Sequence, residues 1–168
     1  NPSGGTSTLV STNFDSGASG FSYADNLFRG ADEGAYAKGA WDDDASAGDG
    51  SHDDDDDDGW HHDDDDGHDD DDSGSLQLEL GGRDDDDVAN MSGGFSKSFT
   101  ASASGEATVT FKYQIDMDYD FESNEYAEIL VSVDGTLKGL SGHDYVARFA
   151  GGAETGWVEV TVNLGTLS

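Results

Sequence analysis

Asp116, Asp118, Asp120, Glu122, Glu125 and Glu128 fall within the thirteen residues DMDYDFESNEYAE. Six carboxylates in so short a stretch repel one another if they converge without a partner. The economical partner is a hard cation that accepts many oxygen ligands, and calcium, which takes about six to eight, fits best. The spacing Asp116-x-Asp118-x-Asp120 opens like a helix–loop–helix calcium loop. That motif requires Gly at its sixth position and Glu at its twelfth, where this chain has Phe121 and Ala127. The reading is therefore a calcium site of another type, built from carboxylates and backbone carbonyls. Glu128 is the most informative of the six, because it sits inside a strand pattern whose outward face does not require an acid.

Two strands must position these groups. Ala107–Asp116 alternates Val109, Phe111, Tyr113 and Ile115 with Thr110, Lys112 and Gln114, the period-two pattern of a half-buried strand. Ile129, Val131 and Val133 repeat it on the far side of the acids, and Asp134-Gly135 is a strong hairpin-turn signal. The acidic stretch is thus expected as the connection between two core strands.

A second group of carboxylates is larger and less specific. Residues 42–72 contain 18 Asp and no Lys or Arg; removing those charges from the chain's −31 leaves −13 for all the rest. Gly59 and Gly67 help divide the runs into blocks of six, four and four, and Asp84–Asp87 forms a further block. Asp55, Asp64, Asp70 and Asp85 stand for these blocks as candidate calcium ligands. Free in dilute buffer, a segment that buries so little and repels itself is expected to be disordered. A solvated charge run, or adaptation to high salt, is the competing reading. His52, His61, His62 and His68 lie among these acids, but their spacing matches no zinc site and Cys is absent. Hard oxygen ligands outnumber them heavily, which favours calcium over a softer metal.

Composition narrows the remaining choices. So negative a chain is not expected to bind nucleic acid or an anionic membrane, since both need a positive surface. No apolar run approaches the length of a bilayer span. Without cysteine there are no disulfide staples, yet metal ions can stabilise a protein outside the cell instead. Asn1-Pro2 is not an initiator methionine, and a processed or excised chain is expected. No nucleophile–base spacing suggests catalysis, and carboxylate pairs carry little information in a chain this acidic. Trp41, Trp60, Tyr145 and Trp157, with Tyr36, are candidates for a sugar-stacking platform; packing in the core or at an edge is the alternative.

Taken in order, Thr8–Phe14 reads as a first strand closing at Asp15-Ser16-Gly17, and Gly20–Phe28 as a second alternating stretch. Residues 29–40 read as loop. Leu76, Leu78 and Leu80 mark a strand ending at Gly81-Gly82, and Phe95–Thr100 a short one. Thr136–Leu140, Tyr145–Phe149 and Trp157–Asn163 complete the set, the last with Val158, Val160 and Val162 on one face. Eight or nine short strands, 24 Gly, 1 Pro and no convincing amphipathic helix predict an all-β fold. We expect a single antiparallel β-sandwich, a jelly roll, over residues 1–168, with an Asp-rich loop insertion at about 42–74.

GFSYADNLF, SLQLELGG, MSGGFSKSFT, DMDYDFESNEYAEILVSVDG and TGWVEVTVNLGTL occur in that order. Together they resemble jelly-roll modules, similar to carbohydrate-binding modules, of large secreted bacterial multidomain proteins and adhesins. Asp116–Gly135 carries most of the resemblance. It implies a secreted or cell-surface, calcium-stabilised binding or spacer unit without catalytic residues. Such modules usually continue beyond a segment like NLGTL, and residues 51–72 depart from them as an insertion. The expected role is therefore structural or adhesive, with calcium ions as partners. Self-association by strand addition through Thr6–Phe14 is also expected, and polysaccharide binding is the alternative.

Overall fold

The computed structural model describes residues 6–28, 36–43, 74–81, 91–101, 104–117 and 125–167. Among them the chain forms ten strands and no helix: β1 Ser22–Asp25, β2 Tyr36–Asp42, β3 Ser75–Gly81, β4 Gly93–Ser96, β5 Gly105–Tyr113, β6 Tyr126–Ile129, β7 Val131–Val133, β8 Thr136–Lys138, β9 Ala147–Ala150 and β10 Val158–Leu167. They pair antiparallel as β1–β4, β2–β3, β5–β10, β6–β9 and β7–β8. The architecture is all-β and antiparallel, as the alternating sequence pattern requires.

The β5–β10 ribbon carries the core. Val109 lies opposite Val162 and Phe111 opposite Val160, so both strands turn their apolar residues to one face. Val162 is fully enclosed, with Leu164 and Val146 beside it, and Phe111, Ile129, Val131, Val133 and Leu140 close around them. Burying one such valine contributes about 1.5–3 kcal/mol. The other face is polar, where Thr110 and Thr161, opposite each other, share a 2.7 Å hydroxyl bond. The β7–β8 hairpin turns through Asp134 and Gly135, whose φ angles are 50° and 77°. A two-residue hairpin turn needs positive φ at both positions, which is why Asp-Gly serves here.

A second packing unit comes from the other four strands. Tyr23 of β1 meets its cross-strand partner Phe95 of β4 edge-on, at 5.5 Å between ring centres. Both rings lie over Gly39 of β2, where any side chain would strike Tyr23. Glycine there lets β1–β4 settle on β2–β3. Trp41, near the end of β2, donates its indole N–H to the Phe14 carbonyl at 2.7 Å. Gly74 is buried against that same carbonyl and the same indole nitrogen. Beside it, Asp42 pairs with Ser75, so the described residues on either side of 44–73 meet as the closed base of a hairpin.

Several local expectations change. Thr8–Phe14 is not a strand. The Thr12 hydroxyl accepts the Phe14 N–H at 3.1 Å, and Phe14 takes a positive φ of 62°, which breaks an extended run. Of the stretch expected as loop, Tyr36–Ala40 belongs to β2. The strand expected over Phe95–Thr100 is instead Gly93–Ser96, and it stops where the Lys97 ammonium turns to the Ser19 carbonyl at 2.6 Å. The run from Ile129 to Val133 divides at Leu130 between two partners, β9 and β8. Tyr145 and Val146 precede β9, because a tight turn joins the Leu140 N–H to the Tyr145 carbonyl and the His143 N–H to the Leu140 carbonyl. The Asp blocks at 44–72 and 84–87 lie outside the described residues.

Candidate functional site

The β5–β10 pairing has a short continuation at the acidic end. The Met117 N–H donates to the Ala153 carbonyl and the Thr155 N–H to the Ile115 carbonyl, both at 2.9 Å; the Thr155 hydroxyl accepts the Ile115 N–H at 3.1 Å. Met117 itself is buried. These bonds flank Asp116 and Glu154, which face each other as an isolated antiparallel bridge. The two residues exchange no backbone bond themselves. They therefore form the closer kind of cross-strand pair, with backbones about 4.5 Å apart and side chains on one side. Both are exposed. Like charges placed directly opposite destabilise a sheet by a few tenths of a kcal/mol up to about 1 kcal/mol. A cation between them reverses that sign.

Glu154 was not among the residues singled out by sequence. Its signal is non-local: the β5–β10 register carried past Tyr113 would set Thr155 opposite Asp116, and a one-residue shift beyond the paired strands brings Glu154 there instead. Asp118, Asp120 and Glu122 lie outside the described residues, as do Asp55, Asp64, Asp70, Asp85 and Trp60. Among the described residues, no three acidic, His or Cys side chains come together as a metal-binding group. Asp116 and Glu154 thus supply two ligand groups, fewer than a calcium ion takes.

Glu125 immediately precedes β6. Glu128 lies within it, opposite Arg148 of β9. The Arg148 Nε and Nη2 donate to one carboxylate oxygen, Oε1, at 2.9 and 2.5 Å. The Glu128 side chain is only 6% exposed, against 44% for Arg148. The acid inside the strand is therefore explained first by its cross-strand cation. That hydrogen bond pushes the Arg148 pKa above its ordinary value; desolvation opposes the shift and the charge of Glu128 assists it. A calcium ion reaching Glu128 competes with this guanidinium.

The aromatic candidates fall into different places. Trp41 is half-buried with its indole nitrogen engaged by Phe14. Tyr145 stacks on His143, with ring centres 4.6 Å apart and planes 13° apart, and also faces the Arg148 guanidinium at 4.5 Å. Its ring serves the loop before β9. Trp157, just before β10, is 49% exposed, and Tyr126, which the sequence pattern did not mark, is 48% exposed on β6.

No family model, no curated protein and no solved structure matches this chain.

Proposed function

We propose that this chain is a calcium-binding β-sandwich module of jelly-roll type, with a structural or adhesive role in an extracellular assembly. One observation carries the reading: Asp116 is held opposite Glu154 at the edge of the core ribbon. The pair stands where the acidic stretch 116–128 begins, in a chain of net charge −31. Asp116 and Glu154 begin a coordination sphere that further oxygens from that stretch complete. Calcium bound only by the folded state raises its stability by mass action. Self-association by strand addition belongs to the same proposal, since neutralising charge lowers the repulsion between copies. Polysaccharide binding is the second reading, favoured by the exposed indole of Trp157.

The test is a calcium titration of thermal stability at fixed ionic strength. Calcium raises the melting temperature of the wild type, and chelation reverses the gain. Asp116→Asn and Glu154→Gln each reduce the gain, while Asp55→Asn, one carboxylate in a run of six, leaves it nearly intact. A melting temperature unchanged by exhaustive chelation removes the proposal. Equal losses for all three variants reduce the chain to a general polyanion.

A further inference from the structure

The outer face of β6–β9 holds an arrangement distinct from the Asp116–Glu154 pair. Tyr126 and Glu128, two residues apart on β6, point to one side of the sheet, and Arg148 crosses to them from β9. Its guanidinium carbon lies 4.3 Å from the centre of the Tyr126 ring and 4.5 Å from that of Tyr145. Two of its nitrogens donate to Glu128. His143 lies face to face with Tyr145 in the loop before β9. Two aromatic rings and one carboxylate, drawn from two chain segments, thus surround a single planar cation. The ring faces are electron-rich, and the carboxylate fixes which edge of the cation points inward.

We propose that Tyr126, Tyr145 and Glu128 form a receptor for guanidinium-type cations, which the chain fills with its own Arg148. The fit is to a flat ion. A guanidinium stacks on both rings while two of its N–H groups reach one carboxylate; a lysine ammonium is a compact, strongly hydrated point charge and does not stack in this way. Filling the receptor ties the 140–146 loop to the β6–β9 pair. With Arg148 removed, Glu128 loses the guanidinium that this arginine supplies between the two rings, and the site accepts a small guanidinium from solution.

The experiment uses Arg148→Ala in the full chain, with methylguanidinium chloride as the probe. The variant melts several degrees below wild type. Millimolar methylguanidinium, far below denaturing concentration, recovers part of that loss along a saturating curve, and sodium chloride at equal ionic strength does not. The wild type shows no such gain, and Glu128→Gln added to Arg148→Ala abolishes it. Recovery matched by sodium chloride, or none at all, overturns the proposal. A second measurement needs no variant: in the wild type, ring currents from two tyrosines shift the Arg148 side-chain proton resonances upfield. Resonances at ordinary arginine positions overturn it equally.

Discussion

Tyr23 shows how one side chain reports on its surroundings. Its hydroxyl donates to Asp25 at 2.6 Å, and its pKa is pushed up to about 12, first by desolvation, then by that bond and by the carboxylate's charge. The folded state therefore holds this phenol neutral more firmly than the unfolded chain does. The stability so gained is fully present below pH ~10, the ordinary tyrosine value, and is lost as pH rises through about 12. In an ultraviolet titration, one of the six tyrosines should ionise late, and Tyr23→Phe should remove that late step. A variant titrating like wild type assigns the step elsewhere. Single residues were legible in sequence only where their partners are near in the chain. Asp134-Gly135 announced its own turn. The acid at Glu128 stood out as a candidate calcium ligand, but Arg148, its partner twenty residues on, became visible only through strand register.

Among the strands, β5 and β10 were the most legible. A ribbon with one buried and one polar face repeats its requirement at every second residue, so the pattern is redundant. Val162→Ala tests how much rests on that face. Removing two methyl groups from an enclosed position costs about 2–3 kcal/mol. Thr161→Ala, one residue along on the polar face, costs at most about 1 kcal/mol. Urea denaturation should separate the two, and comparable losses mean the ribbon's inner face is misassigned. β2 was illegible for a physical reason. Its centre, Lys38-Gly39-Ala40, shows no apolar alternation, because Gly39 is kept bare for the Tyr23 ring of another sheet. Thr8–Phe14 failed in the opposite way. Its adjacent Leu9 and Val10 suggest a strand, but both stay exposed, and the anchoring happens at Phe14, through Phe21 and Trp41.

Across the whole molecule, the charge carried by residues 44–73 and the packing of the described strands are separable. The base pair Asp42–Ser75 closes the hairpin around residues 44–73, so the strands on either side do not need those residues to find register. Deleting 44–73 joins Asp43 to Gly74 and leaves an Asp-Gly pair between β2 and β3, the same dipeptide that turns β7 into β8. The shortened chain should keep its strand circular dichroism and gain about 2 kcal/mol from the smaller loop alone, with further gain from lost self-repulsion. The proposed calcium-induced stabilisation through Asp116 and Glu154 should persist. Collapse of the strand signal means that residues 44–73 hold the fold together. The same closed base acts on tension. In an anchored module pulled from its ends, residues 44–73 bear no load while β2 and β3 stay zipped. Antiparallel hairpin strands peel apart one pair at a time, and the peeling releases about 100 Å of stored chain from those thirty residues. Under such a pull, that reserve is slack, paid out only after the Trp41 clamp and the β2–β3 ladder give way.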